Sequence, residues 1–213
     1  MAVPVPLPLP PVPQPGTGLI LLRGDEACLT VGLLLGLRAA SQAHPLLVID
    51  GANALDPYLL SNLARRVGQA PRTLLASVYV SRLFTAYQLE AAVVDRLEGA
   101  IATRRPGGVL LAGLLDLLYD EDLSAAEARR IFRKILAVVT RLAAQPLSLI
   151  AACPAQPPVP GREGFLPQLG VAASRVFAVA SRDGGIEITG EKPAPGRWWW
   201  EPEIALLAAR RWY

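Results

Sequence analysis

The stretch Leu19-Ile-Leu-Leu-Arg-Gly-Asp-Glu-Ala-Cys-Leu-Thr-Val31 places a short polar segment between two apolar runs. The first run, residues 19 to 22, predicts a buried strand, and the second run, from Leu29 to Ala40, predicts a helix. A strand, a loop and a helix in this order form the setting of the phosphate-binding motif GxxxxGK[ST]. This setting predicts an α/β fold.

The residues that bind phosphate in that motif are mostly missing from this segment. A phosphate loop uses glycines to bring backbone N–H groups to the phosphates, a Lys to hold the β- and γ-phosphates, and a Ser or Thr to bind magnesium. The first Lys of this chain is Lys134, and the motif is echoed by Gly24 and Thr30 alone. Together with Asp50, which ends the next apolar run, they form a candidate vestigial nucleotide site. We predict no bound cofactor, with ATP and magnesium as the alternative if the phosphate loop is of an atypical kind.

Length and composition indicate one domain. The chain has 213 residues, of which 52% are hydrophobic, and this is enough for a single large core. Residues 1 to 15 stand apart, because seven prolines there fix φ and remove backbone donors. We predict a disordered arm over 1–15 and a core domain over 16–213. No apolar stretch reaches the roughly 20 residues that a bilayer-spanning helix needs, so we expect a cytoplasmic protein without a membrane partner.

Strand-like and helix-like runs alternate after the arm, which implies a mainly parallel sheet flanked by helices. The predicted strands cover residues 19–22, 46–50, 73–80, 108–113 and 147–152. The predicted helices cover residues 27–40, 57–67, 85–103 and 124–144. Beyond a loop rich in Pro and Gly, strands at 175–181 and 185–189 flank an Asp-Gly turn and predict a C-terminal β-hairpin.

Three segments of the chain resemble the ATPase core of RecA-type recombinases, particularly the archaeal and eukaryotic branch. They are Leu47-Val-Ile-Asp-Gly-Ala-Asn-Ala-Leu-Asp-Pro57, Val78-Tyr-Val-Ser-Arg-Leu-Phe-Thr-Ala-Tyr-Gln-Leu89 and Val109-Leu-Leu-Ala-Gly-Leu-Leu-Asp-Leu-Leu-Tyr119. Their order and spacing match the family, and the resemblance covers residues 18 to 155. It implies a RecA-like fold of the P-loop NTPase type.

The resemblance also implies that the catalytic groups are lost. The position of the acidic residue that activates water falls on Ala52, and that of the magnesium-side Asp of the Walker B strand falls on Gly113, with Asp116 three residues late. The polar sensor falls near Cys153. Without the Lys, the general base and the metal carboxylate, most of the rate enhancement is gone. We therefore predict degenerate Walker motifs, no catalytic residue and no metal, although a register shift of one or two residues would return Asp50 or Asp116 to a metal role.

Basic and aromatic residues form the candidate contact surface. The net charge of +3 permits a polyanionic partner. Arginine forks suit phosphates, and Trp rings stack on bases. The predicted contact residues for nucleic acid or a protein partner are Arg129, Arg130, Arg133, Lys134, Arg197 and Trp198. A solvated basic face and core packing of the tryptophans are the plain alternatives.

Three functions fit these observations. The first is a non-hydrolysing RecA-like accessory protein in DNA repair or recombination, which works by protein contacts or self-assembly and by possible DNA binding. The second is a nucleotide-dependent ATPase with an atypical phosphate site. The third is a structural assembly subunit that binds no nucleic acid.

Overall fold

The fold is built on a sheet of eight strands, seen in a computed structural model that describes residues 17–41, 43–66, 70–156, 159–183 and 185–200. The strand order is β3-β2-β4-β5-β1-β6-β7-β8. The first six positions in this order are parallel, and β7 and β8 extend the sheet by antiparallel pairing. The predicted arm, residues 1 to 15, lies outside the described residues.

The strands are bounded as follows: β1 Gly18–Gly24, β2 Leu46–Asp50, β3 Val78–Arg82, β4 Gly108–Ala112, β5 Ser148–Pro154, β6 Arg175–Arg182, β7 Gly185–Lys192 and β8 Gly196–Trp200. The helices are α1 Ala27–Ala39, α2 Pro57–Arg66, α3 Pro71–Leu75, α4 Ala86–Glu90, α5 Leu97–Arg104, α6 Ala125–Ala143 and α7 Phe165–Ala172. A π-helical segment, Ala91–Arg96, joins α4 to α5, and a short 3₁₀ turn, Asp116–Leu118, follows β4.

Strands β2, β4 and β5 are buried along their whole length, as their continuous apolar runs require in a parallel sheet covered on both faces. Helices α4 to α7 pack on one face, here called the α6 face, which receives Leu19 and Leu21 from β1. Helices α1 to α3 pack on the other, here called the α1 face, which receives Ile20 and Leu22. The connections that cross the α1 face run from β1 to β2 and from β2 to β3, toward the β3 edge of the sheet. The connections that cross the α6 face run in the opposite direction, from β3 to β4, to β5 and to β6. All parallel crossovers therefore have the same handedness.

The α/β prediction is confirmed, and most predicted elements lie within a few residues of the observed ones. The strand predicted over 73–80 is wrong in its first half, because Pro71 starts the short helix α3 and the strand itself begins at Val78. Helix α7 and strand β8 were not predicted. The predicted hairpin is the first turn of a three-stranded unit, since β8 pairs with β7.

Ser124 caps α6, as the sequence predicts from Ser124-Ala-Ala-Glu127: its hydroxyl accepts a hydrogen bond from the backbone N–H of Glu127. Among the described residues, no helix combines the length and the apolar character needed to cross a membrane.

Candidate functional site

The topology puts the candidate site at the carboxyl ends of the central strands. Helix α1 follows β1 on one face, and α7 follows the neighbouring strand β5 on the other. The connections after the neighbouring strands β2 and β4 also leave on opposite faces of the sheet. In open α/β sheets, ligands bind in the crevices that such reversals create. The predicted residues Gly24, Thr30 and Asp50 lie on the elements that border these two crevices.

The connection between β1 and α1 is too short for a phosphate loop. Strand β1 ends at Gly24 and α1 begins at Ala27, so only Asp25 and Glu26 lie between them. The Oδ1 atom of Asp25 accepts a hydrogen bond from the N–H of Ala27 at 2.8 Å, and its Oδ2 atom accepts one from the N–H of Ser181 in β6 at 2.5 Å. A helix N-terminus is where a phosphate would bind. Here a carboxylate of the chain itself takes that place.

Gly24 serves the packing of β6. It has a φ of 133°, and a Cβ at this position would lie 1.9 Å from the carbonyl oxygen of Val179. Any larger residue would therefore push β6 away from β1. Thr30 is buried within α1, with 7% of its surface exposed. The structure thus gives Gly24 and Thr30 positions inside the packed fold and does not place them on an open loop.

Asp50 is fully buried at the end of β2. Its carboxylate accepts hydrogen bonds from the backbone N–H groups of Ala54 and Leu55, at 3.1 and 3.2 Å, and from Nε of Arg82 at 3.2 Å. Arg82 also donates to the carbonyl oxygen of Leu55 at 2.5 Å. Asp50 therefore organises the loop that follows β2, with its two oxygens engaged by partners within the chain.

Asp116 folds back over the end of β4, although it lies three residues beyond the expected position. A Cβ at Gly113 would lie 2.7 Å from Oδ2 of Asp116 and 2.5 Å from Cβ of Ala52, so the carboxylate sits where the predicted Walker B and base positions meet. Burial raises the pKa of Asp116 to about 6, although a hydrogen bond from Gln156 acts to lower it. Its buried Oδ1 atom has no hydrogen-bond partner among the described residues.

The charges around this crevice are negative. Asp50 and Glu26 both raise the pKa of Asp116 further by repulsion. Within the described parts of the chain, no group of three or more His, Cys, Asp or Glu side chains is placed to hold a metal ion. The carboxylates of Asp116, Asp50 and Glu26 leave this crevice acidic even with Arg82 paired to Asp50, and this disfavours a phosphate, since like charges in a partly buried site repel strongly.

The two cysteines lie apart from any redox or metal chemistry. Cys28 packs on the α1 face and Cys153 on the α6 face; both are buried, and neither forms a disulfide. Burial raises the pKa of the Cys153 thiol well above its ordinary value, and Cys28 and Asp116 raise it further. A buried thiol of raised pKa is unreactive.

The predicted basic face of α6 is divided into two pairs. Arg130 makes two hydrogen bonds to the carboxylate of Glu90, at 2.7 and 3.0 Å, and Lys134 makes a third at 2.7 Å. These bonds lower the pKa of Glu90 to about 2. Arg129 and Arg133 are exposed and make long contacts with backbone carbonyl oxygens, at 3.5 and 3.4 Å.

Arg129 and Arg133 line a groove between α6 and the start of α7. The groove encloses about 550 Å³, and its other lining residues include Glu163, Gly164 and Gln168. No side chain caps the first turn of α7, which begins directly after Gly164. Two exposed guanidinium groups beside an uncapped helix N-terminus favour an anion in this groove.

Arg162 lies between Gly161 and Glu163, which line this groove, and the sequence did not indicate its role. It is 3% exposed and donates hydrogen bonds to four backbone carbonyl oxygens, those of Leu118, Asp120, Leu123 and Pro160. It thereby ties the loop after β4 to the loop after β5. Three of these four carbonyl groups lie about 40 residues away and carry no side-chain signal in the sequence.

The predicted contact residues near the C-terminal end of the described chain have different environments. Trp198 packs against the core of the α1 face and meets Phe177 edge to face, with 5.8 Å between ring centroids. Arg197 is exposed and forms an ion pair with Glu187. The exposed tryptophan is Trp199, at 47%.

Comparison with models of known protein families gave no match, and a search among curated proteins found no relative. The case for a function therefore rests on the fold, on the closed connection between β1 and α1, and on the placement of the charged side chains.

Proposed function

We propose that this chain is a non-hydrolysing relative of the RecA-type recombinases that acts as an accessory protein in DNA repair or recombination. The observation that carries the proposal is the Asp25 carboxylate at the N-terminus of α1, where it accepts the N–H groups of Ala27 and Ser181. A strand–loop–helix unit at the centre of a parallel sheet supports the relationship. The occupied helix N-terminus supports the loss of nucleotide chemistry.

Without nucleotide chemistry, the protein works by binding. The surface best suited to a phosphate backbone is the groove with Arg129 and Arg133, because these guanidinium groups are exposed and outnumber the carboxylate of Glu163, which also lines the groove. Arg130 and Lys134 are already neutralised by Glu90. The DNA contact therefore involves fewer cations than the four predicted contact residues of α6, and we expect modest affinity with no sequence preference.

The test is the fluorescence anisotropy of labelled single-stranded DNA, titrated with the full chain at about 50 and 200 mM salt. The parent protein should bind with an affinity that falls with salt and is unchanged by magnesium-ATP. The double variant Arg129→Ala/Arg133→Ala should reduce the slope of log affinity against log salt by about 1.4, the value for two lost contacts with a single strand.

The matched control is Arg141→Gln, which removes an arginine from the same helix that is paired with Glu98. Its salt slope should equal that of the parent. No binding by the parent at either salt concentration would overturn the DNA contact and favour a structural assembly subunit. Binding that requires magnesium-ATP would favour a nucleotide-dependent ATPase instead.

A further inference from the structure

Strand β8 ends the described sheet and leaves one edge open. It pairs with β7 from Gly196 to Trp200, and no described strand lies on its other side. Edge strands of soluble proteins are commonly protected by Lys, by Pro or by a bulge. The sequence of β8, Gly-Arg-Trp-Trp-Trp, contains neither Lys nor Pro, its pairing with β7 is regular, and its one charged side chain, Arg197, is held in an ion pair with Glu187 of β7. Such an edge is suited to pairing with another strand.

The two faces of β8 differ in character. Trp200 is buried in the core of the α1 face, and Trp198 packs against that core. Arg197 and Trp199 point to the opposite face, where the Arg197 side chain is 76% exposed and Trp199 is 47% exposed. Glu187 pairs with Arg197 and also with Arg182, so the Arg197 guanidinium is held at the surface.

We propose that β8 pairs antiparallel with β8 of a second copy of this chain, about a two-fold axis that passes through Trp198, to give a closed dimer. An axis perpendicular to the sheet keeps each face on its own side, so residues of one face meet residues of the same face. With the axis at Trp198, all five residues of β8 are paired. Arg197 then lies opposite Trp199 of the second copy, and the same contact occurs twice.

The chemistry of this pairing is self-complementary. Directly opposite residues in an antiparallel pair have Cβ atoms about 5 Å apart, which is within the reach of an arginine over an indole ring. The chain already uses such a contact within itself, since the guanidinium of Arg104 lies 3.8 Å from the ring centroid of Tyr79. Trp and Arg are also the residues that contribute most to binding at protein interfaces.

The opposite edge of the sheet lacks this complementarity. A two-fold axis at the middle of β3 would place Tyr79 opposite Ser81 and Val78 opposite Arg82. These pairs offer neither a cation on an aromatic ring nor opposite charges. The open edge that fits a second copy of this chain is therefore that of β8.

The test is sedimentation velocity of the full chain over the micromolar range. The parent should sediment as a species of twice the 22.7 kDa chain mass. Trp199→Lys places like charges opposite each other and should give a species of the single chain mass. The control Tyr79→Lys makes the same change at the other edge, on a residue of similar exposure, and should remain a dimer.

A cross-link tests the register independently of Trp199→Lys. The double variant Arg197→Cys/Trp199→Cys should form a disulfide-linked dimer on oxidation, while each single variant should not, because equivalent positions are diagonal across the axis. Cys28 and Cys153 are buried and should not react. A monomeric parent, an open-ended series of masses, a dimer lost with Tyr79→Lys, or a double variant that sediments as a dimer but does not cross-link would each overturn the proposal.

Discussion

The carboxylate of Asp25 accepts a hydrogen bond from the backbone N–H of Ser181, 2.5 Å away, and so fastens the start of α1 to strand β6. The same carboxylate caps Ala27 in the first turn of α1. One side chain thus fills the N-terminus of α1 and links it to β6, the neighbour of β1 on the side away from β5. Because the positive end of the helix dipole is satisfied from within the chain, a phosphate gains little by entering.

Replacing Asp25 with Ala should destabilise the protein without opening a nucleotide site. The change removes the acceptor of two backbone N–H groups, those of Ala27 and Ser181, and should lower the unfolding free energy by about 1 to 2 kcal/mol. Asp25→Asn should cost less, since its amide oxygen can still accept one N–H. Urea unfolding measures both, with Glu121→Ala as a surface control. Magnesium-ATP that stabilised Asp25→Ala but not the parent would mean that the carboxylate alone excludes nucleotide.

Removing Arg162 should be among the most damaging single changes in the chain. Arg162→Met leaves four backbone carbonyl oxygens without their charged donor in a buried place, and we expect a loss of about 3 kcal/mol or more. Arg162→Lys should recover little of this stability, because a single ammonium group cannot donate to carbonyl oxygens arranged for the planar fork of a guanidinium. Arg129→Met, at an exposed position of the same groove, is the control. Equal unfolding free energies for Arg162→Met and Arg129→Met would contradict this role.

Asp116 should make the protein less stable as pH rises from about 4 to 6. Its pKa is raised to about 6 in the fold, so the folded state holds the proton over a range in which the unfolded chain has released it. Asp116→Asn removes this dependence. The unfolding free energy of Asp116→Asn should exceed that of the parent by an amount that grows from near zero at pH 4 to about 1 to 2 kcal/mol above pH 7.

Glu90→Gln provides the control for that pH series. The pKa of Glu90 is lowered to about 2, so its stabilising effect is complete above its unfolded pKa and is lost only as the pH falls toward 2. The difference in unfolding free energy between Glu90→Gln and the parent should therefore be constant between about pH 6 and 8. A constant difference for Asp116→Asn as well would show that Asp116 ionises normally.

The same Glu90→Gln variant should strengthen DNA binding. It releases Arg130 and Lys134 from their carboxylate, which adds two cations to the exposed pair Arg129 and Arg133. The anisotropy titration should show a salt slope steeper by up to about 1.4. Glu98→Gln, which releases Arg141 elsewhere on α6, is the matched control for net charge. An equal gain in both variants would argue against a localised contact surface.

The sequence predicted the buried strands well because their apolar runs are continuous; the bounds of β2, 46–50, were predicted without error. The sequence did not predict the features that depend on contacts between distant residues. For Gly-Arg-Trp-Trp-Trp the sequence left aromatic surface and core packing as alternatives; Trp198 and Trp200 pack in the core, but the sequence did not show that the segment is a strand. Glu90 lies about 40 residues from the basic residues it neutralises.

The candidate site shows the same limit. The missing Lys was visible in the sequence, but the role of Asp25 was not, because its second partner, Ser181, comes from a strand 156 residues later. The pattern could indicate that the phosphate site is lost. It could not indicate which group of the chain takes its place.

The most direct test of the account is the binding of magnesium-ATP to the full chain, followed by the anisotropy of a fluorescent ATP analogue and by the melting temperature with and without ATP. We predict no saturable binding and no shift in melting temperature at millimolar ATP. Saturable binding would contradict the account, and ATP at about 100 times its dissociation constant would then stabilise the fold by about 2.7 kcal/mol.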